Sequence, residues 1–595
     1  MSRLLPTVLQ RAPARRAAAV AWLALAGDAA AAPEWHASGR LTAGSSYRLE
    51  AADPDLLNSV NAAAAGLSGR AAGGANADDA NTNFRRRDAT STVLKGYLEL
   101  GAAEGATTAL LRVKAWYDDA LARQPRDWGN SANGYTAGAA LSDRGAPALS
   151  RFAGIALSEA WLQHSAEWDG VRLLGRLGRQ SLDWGARSGF GGGLEMLNPK
   201  DFPALHRPGA APQETRVAAP MLFARLDPAP ELGVEGYYQP AFRPSALDMC
   251  GTFWSLNDYL TEGCDRVYAG LPAGSDRART HSGVYLQRSP APNRPQGGEY
   301  GLALNWKSAA LSADFGLYYA RYAGRTATPG LVKSRRAGPP LIAGDPDGKN
   351  MSYFTEYVDG IALYAFTFAH RRGATGFYGE LDYRPGQPLQ MSPGDVLGAF
   401  LSASTPSLLR AEANALAPGG VYHAYDRYGV GQLVLGVQHD WNAAGAAWSA
   451  SAETVAKHVA GLPDPALRRY GRADIFGLGA INGNCTATTS DPARQCSQNG
   501  YVSRNAAAYR LRLDLRYAAL RPGLNGAVSL LFAHDVKGWS SDGLVNQGRK
   551  SANLALRFEY RQRYLAELVY TPVWGGDYNP LADRDQLAFA VGIKF

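Results

Sequence analysis

Charged side chains recur at every second position in three segments, and that spacing limits the chemistry open to them. Arg510, Arg512, Asp514 and Arg516 alternate with Tyr509, Leu511, Leu513, Leu515 and Tyr517. Arg557, Glu559 and Arg561 alternate with Leu556, Phe558 and Tyr560, while Arg172 and Arg176 share one parity of a third segment. Successive side chains of a strand point to opposite faces, so each segment predicts an ionic face backed by an apolar one. In a water-filled lumen such charges raise a field and tune selectivity. Paired across neighbouring strands they brace the wall instead. Both uses stay open at the level of sequence.

The run from Trp184 to Thr215 holds a second set: Trp184, Gly185, glycines at 189 and 191–193, Asn198-Pro199, and His206-Arg207-Pro208-Gly209. The glycines miss the G-x-G-x-x-G spacing and no G-K-[ST] follows, so this is no phosphate cradle. We expect a loop that folds into a lumen and narrows it; the plainer alternative is a structured surface loop. The four cysteines form two local pairs, Cys250/Cys264 and Cys485/Cys496, in polar segments. Disulfides are the favoured reading in an exported chain, because neither pair has C-x-x-C spacing or a neighbouring histidine. Asp345-Pro-Asp-Gly-Lys-Asn350 carries oxygens that suit calcium, but too few of them, and an Asp-Gly turn accounts for the run. No G-x-S-x-G or H-E-x-x-H occurs, and the acid pair His534-Asp535 sits at a strand end. No enzyme, cofactor or metal site is expected.

These residues need elements that hold them at fixed spacing. The segment after Ala32 puts Trp35, Ala37, Gly39, Leu41, Ala43, Ser45, Tyr47 and Leu49 on one face, with His36, Arg40, Thr42, Arg48 and Glu50 on the other. Such a run exceeds a typical globular strand and suits a tilted membrane strand. About 18 strands of this kind follow, near 35–49, 92–102, 107–118, 153–165, 171–181, 217–227, 232–239, 299–307, 311–322, 360–370, 374–384, 430–442, 447–456, 507–519, 525–535, 551–562, 564–574 and 585–595. Links of a few residues alternate with long ones, such as 50–91, 119–152, 182–216, 240–298, 323–359, 385–429 and 457–506. That alternation predicts an all-β, transmembrane antiparallel β-barrel of about 18 strands (16 is the alternative), with short periplasmic turns and long extracellular loops. Leu56 to Leu67 and Val396 to Leu416 have helical spacing, so the loops are expected to be partly helical.

Composition agrees. Glycine (67), tyrosine (29) and tryptophan (13) are abundant, only 19% of residues are charged, and no apolar run after Ala32 is long enough for a membrane helix. Residues 1–32 read as a secretory signal peptide and 33–595 as one barrel domain. Without that segment the net charge falls from +8 to +5, which is no nucleic-acid footprint. The last strand ends Leu587, Phe589, Val591, Ile593, Phe595 on one face. It resembles the signal read by the barrel assembly machinery, and points to the outer membrane of a Gram-negative bacterium and its lipid.

Five segments resemble the domain of unknown function 1302 family of exported proteobacterial proteins. They are Asn76-Ala-Asp-Asp-Ala-Asn-Thr-Asn-Phe84, Arg176-Leu-Gly-Arg-Gln-Ser-Leu-Asp-Trp-Gly185, Leu197-Asn-Pro-Lys-Asp-Phe202, Arg207-Pro-Gly209 and Gly575-Gly-Asp-Tyr-Asn-Pro-Leu-Ala-Asp-Arg-Asp585. The resemblance runs through nearly the whole chain after residue 32. It implies an outer-membrane barrel found alongside catabolic pathways for hydrophobic compounds and resistance-nodulation-division type transporters, and it supplies no catalytic residues. Three functions follow as expectations. The first is a conduit for hydrophobic small molecules or lipids. The second is a general diffusion porin for polar or anionic solutes. The third is a structural outer-membrane partner of an inner-membrane transporter.

Overall fold

The computed structural model describes residues 33–595 apart from 72, 186–188, 270–273 and 486–490. The expected signal peptide, 1–32, lies outside the described residues, as does the stretch 186–188 of the expected constriction loop. Among the described residues, eighteen antiparallel strands each pair with the next. They are β1 (Glu34–Arg48), β2 (Ala89–Glu104), β3 (Thr107–Asp118), β4 (Ala153–Trp168), β5 (Val171–Gln180) and β6 (Ala219–Ala229). Next come β7 (Leu232–Gln239), β8 (Glu299–Ser308), β9 (Ala313–Tyr322), β10 (Ile361–Arg372), β11 (Thr375–Gln390) and β12 (Tyr425–Ala443). The last six are β13 (Ala446–Ala460), β14 (Asn505–Arg521), β15 (Leu524–Lys537), β16 (Lys550–Tyr560), β17 (Tyr564–Thr571) and β18 (Gln586–Lys594). Closure comes from β1 against β18, in register from Arg40↔Lys594 to Arg48↔Gln586. A closed sheet has no edge strand, which lets it cross lipid, although single strands differ in how far they pair.

The hairpins at one end are tight because their turn residues accept positive φ. Asp169-Gly170 (φ 49° and 76°) joins β4 to β5, and Ala444-Gly445 (50° and 74°) joins β12 to β13; this is the backbone that matches strand twist in two-residue hairpins. At the other end lie the long loops. The outward parity of each strand is apolar: Leu302, Leu317, Leu381, Leu433, Leu511 and Leu568 are all exposed. Aromatic side chains group toward the two ends of this belt, including Tyr300, Tyr319 and Tyr364 at one end and stacked Trp441 and Trp448 at the other. An apolar band between aromatic girdles, short turns on one side and long loops on the other make this an outer-membrane barrel.

Two details depart from the sequence reading. The expected loop 385–429 is strand at both ends: β11 runs on to Gln390 and β12 begins at Tyr425. A register shift between Arg384 and Gln387 takes Pro385 out of the ladder, so proline, which lacks an N–H, does not end the strand. Arg561 was expected on the lumen wall. Instead β16 ends at Tyr560, and Arg561 lies in the turn with φ 52° and its guanidinium over the Tyr560 ring. The tight reversal into β17 uses up that position.

The extracellular loops are not loose. Helices α1 (Ser59–Ala64), α2 (Asp79–Asn83), α3 (Phe202–His206), α4 (Asp276–Ser282), α5 (Pro393–Leu401) and α6 (Arg410–Ala415) lie in them. α5 and α6 bury Val396, Ala399, Phe400 and Ala413 against Leu331, Tyr353, Met391 and Tyr470 in the largest apolar core of the chain. The cap therefore has a core that is seated on the upper ends of the wall strands through Leu389, Val430 and Val459. Both cysteine pairs are disulfide-bonded within it, with Cα–Cα distances of 6.1 Å for Cys250–Cys264 and 5.7 Å for Cys485–Cys496.

Candidate functional site

Between β5 and β6 the chain leaves the wall and crosses the lumen. Its first half carries an apolar side, Leu182, Trp184, Leu194 and Leu197, that packs on Met221, Tyr237, Ala320, Tyr322 and Leu363 of the inner wall. The Trp184 indole donates to Glu235 Oε2 at 2.7 Å, so its buried N–H is satisfied. Asn198 clamps the base of the loop, accepting from Leu182 N–H and donating to Leu182 C=O, both at 2.9 Å. Pro199 C=O accepts from Val217 N–H at 2.9 Å.

The loop then reaches strands on opposite sides of the barrel. Toward β11–β14, Leu194 N–H donates to Glu380 Oε1 and Gly189 N–H to Glu453 Oε1, each at 2.9 Å. The Arg510 guanidinium lies 4.1 Å over the Phe190 ring and donates to Gly189 C=O. Gly193, at φ +55°, sits so close to the wall that a Cβ there would meet Glu380 Oε1 at 1.8 Å; only glycine permits that approach. Gly185 is similarly confined, with φ +72° and Leu194 Cβ 2.6 Å from the position of a Cβ.

Toward β1–β3 the second half is held by charge. Lys114 Nζ pairs with Asp201 at 2.6 Å, and Lys95 Nζ pairs with Glu214 at 2.7 Å and donates to Gly209 C=O at 2.9 Å. Arg40 also donates to Gly209 C=O, at 3.1 Å. Asp201 meanwhile caps α3 through Ala204 N–H. Arg207 stacks 4.5 Å over Trp116, Pro208 lies against Gly44, and His206 bonds Asp248 at 2.9 Å and stacks on Trp254. The described residues from Trp184 to Gly209 are thus brought together across the lumen and fastened at both ends.

The charged strand rows sit below this layer, near the short turns. Arg512 pairs with Asp514 at 2.6 Å and Arg557 with Glu567 at 2.6 Å, each arginine half-exposed. Arg512, Arg557 and Glu567, together with Arg40, Arg516 and Glu559, line a vestibule of about 1170 Å³. Glu559 is also bound by Lys594. Arg176 is drawn to the wall instead, bonded to Gln163 at 2.7 Å and stacked on Trp161. Arg172 is exposed near the turn end of β5. Asp535 pairs with Arg549 at 2.7 Å rather than with its neighbour His534. Arg336 holds both Asp345 and Asp347 across the Asp-Gly turn.

Sequence reasoning passed over Lys95, Lys114, Glu380 and Glu453, which do most of the fastening. A signal was present: each is a charge among small or apolar neighbours, on the lumen parity of its strand.

The wall itself has a step. β4 pairs with β5 only from Ala160↔Arg179 downward, so Ala153–Glu159 pairs with β3, with Ser158 bulged out of that ladder, and has no strand partner on its other side among the described residues. β5 ends there because the chain turns inward. A cavity of about 740 Å³ occupies the step, lined by outward-facing Ile155 and Leu157, by Ser158 and Arg179, and by Phe242, Arg243 and Tyr357 from the loops. Ile155 is 73% exposed. Ser158 Oγ and Arg179 Nε are buried without a hydrogen-bond partner. Arg216, Val217 and Ala218, the last residues of the lumen loop, form part of the same lining.

No curated protein matches the chain. Solved structures to which it is similar include Pseudomonas aeruginosa OccK1 (OpdK), at 10% identity and TM-score 0.37 over 94% of this chain and 98% of that one. Acinetobacter baumannii OccAB1 is similar at 9% identity and TM-score 0.40 over 94% and 96%. The outer membrane channel DcaP of Acinetobacter baumannii is similar at 8% identity and TM-score 0.33 over 95% and 97%. Residues 12–595 match the family described as a protein of unknown function, DUF1302, and the chain belongs to that family.

Proposed function

We propose that this outer-membrane barrel is a conduit for hydrophobic small molecules or lipids, and that they pass sideways through the step between β4 and β5. The observation that carries the reading is the 740 Å³ cavity at the broken ladder. Its size falls in the range of small-molecule sites, and its lining is mixed, apolar at Ile155, Leu157, Val217 and Phe242 and basic at Arg179, Arg216 and Arg243. Ile155 and Leu157 share the outward parity of lipid-facing Leu111 and Tyr117, so the cavity has an apolar rim on the lipid side. Arg179 and Arg243 would hold a negative end group there. The lumen loop obstructs a straight water path, which suits a conduit better than an open pore.

A second reading, a diffusion porin for anionic solutes, is favoured by the arginine-lined vestibule. One experiment separates them. Ile155→Trp with Leu157→Trp narrows the step from the lipid side, where both residues are exposed and tolerate size. Uptake of a long-chain apolar carboxylate should fall severalfold, while planar-bilayer conductance stays low and unchanged. Large, stable currents from the unmodified barrel, with uptake indifferent to the two tryptophans, would reject the conduit and favour the porin. Low conductance with no effect on apolar uptake would favour the structural partner of an inner-membrane transporter.

A further inference from the structure

The Asn76–Phe84 segment, whose two aspartates take no part in the lumen contacts, is buried where three extracellular loops meet. Asp78 and Asp79 open α2 in the β1–β2 loop, and Asp258 comes from the β7–β8 loop. All three are buried, and one carboxylate oxygen from each lies within 4.8 Å of the others. Asp276, at the start of α4, is also fully buried and interacts electrostatically with the same group. Asn61 bridges the set, donating to Asp78 and to Asp276 at 2.9 Å each.

The charge balance of this nest is abnormal. No lysine or arginine forms an ion pair with Asp78, Asp79 or Asp258 among the described residues; nearby Arg48 and Arg584 are directed at Asp583 instead. Hydrogen bonds reach Asp79 from Trp128 Nε1 and Tyr135 Oη, yet Asp258 Oδ1 and Asp276 Oδ1 are buried with no donor at all. Buried charges of one sign are costly unless something of opposite sign joins them.

We propose that Asp78, Asp79 and Asp258 bind one calcium ion, which fastens the β1–β2 and β7–β8 loops across the barrel mouth. The donor set is all oxygen, as a hard cation requires, and no cysteine or histidine belongs to the group. Oxygens around calcium at 2.3–2.6 Å stand at most about 4.6–5.2 Å apart, a range that takes in the separation seen here; around magnesium the limit is about 4.2 Å. Orphaned Asp258 Oδ1 is a ready ligand atom. The site is independent of the conduit reading and holds whichever solute the barrel passes. By joining loops from distant parts of the chain, the ion would stiffen the roof over the lumen.

The test uses the full barrel in detergent, stripped with EGTA and then titrated with CaCl₂. Calorimetry and elemental analysis should find one calcium per chain, and calcium should slow trypsin cleavage of residues 50–88 and 240–298 at least tenfold. Asp78→Asn with Asp258→Asn should weaken calcium binding a hundredfold or more and abolish the protection, while the heat-modifiable barrel persists. Asp345→Asn, in the turn held by Arg336, should behave as the unaltered protein. The unaltered protein alone can overturn the proposal: no stoichiometric calcium, with equal protection in EGTA and CaCl₂, would mean that the carboxyls share protons instead.

Discussion

The lumen has two levels built from the same kinds of ion pair, and water makes them different. At the turn end, Arg512–Asp514 and Arg557–Glu567 stand at 2.6 Å, but about half of each arginine is exposed. One level up, Lys114–Asp201 and Lys95–Glu214 have equal distances, 2.6 and 2.7 Å, and almost no exposure. Solvated pairs contribute about 0–1 kcal/mol. Breaking a buried pair costs about 3–5 kcal/mol, because the remaining charge is left without water or partner. Distance alone therefore says little about what a lumen charge does. The lower row stands in water, and the upper pairs hold a loop in place.

The largest effect is expected from Lys114→Ala, which leaves the buried Asp201 carboxylate without its cation. We expect the second half of the lumen loop to open, at a local cost of about 3–5 kcal/mol. Hydrogen exchange should quicken across residues 198–216, and bilayer conductance should rise. Lys114→Met with Asp201→Leu should restore much of the protection, since no charge is then left buried; a double variant as loose as the single one would mean that the pair does not act by desolvation.

A smaller effect is expected on the other side of the loop. Arg510→Ala removes the stacking on Phe190 and the donor to Gly189, a loss on the order of 1–2 kcal/mol. Brief openings should become more frequent without a change in the closed level. If single-channel records match those of the unaltered barrel, the Phe190 contact does not secure the constriction.

The smallest effect on stability is expected from Arg512→Ala or Arg557→Ala, within about 1 kcal/mol. Their signature is electrical. Reversal potentials under a salt gradient should shift toward cation preference at low ionic strength, and the shift should fade toward 1 M salt, where screening acts over about 3 Å. A shift that survives high salt would place these arginines in a drier setting than their exposure indicates.

Much of the molecule was legible from local spacing. All eighteen strands lie where alternation predicts them, and the end of the loop 385–429 reading came from Pro385, whose missing N–H a bulge absorbs. Arg561 misled because alternation cannot see where a turn begins. The parity of Arg512 and Arg557 was readable; that their partners are Asp514 and Glu567, and that water reaches them, was not.

What the sequence by itself determined is the set of local periods: two-residue alternation, the short and long links, the apolar parity that meets lipid, and the cysteine pairs. Each depends on neighbours along the chain, and the geometry of a strand converts them directly into faces. Only the tertiary structure decided which lumen charges are dry, that Lys114 meets Asp201 and Lys95 meets Glu214, that the ladder stops at Ala160 and leaves a step in the wall, and that Asp78, Asp79 and Asp258 share one buried nest. These facts rest on which distant segments exclude water from one another, a property of the closed barrel and its packed loops that no stretch of residues carries alone.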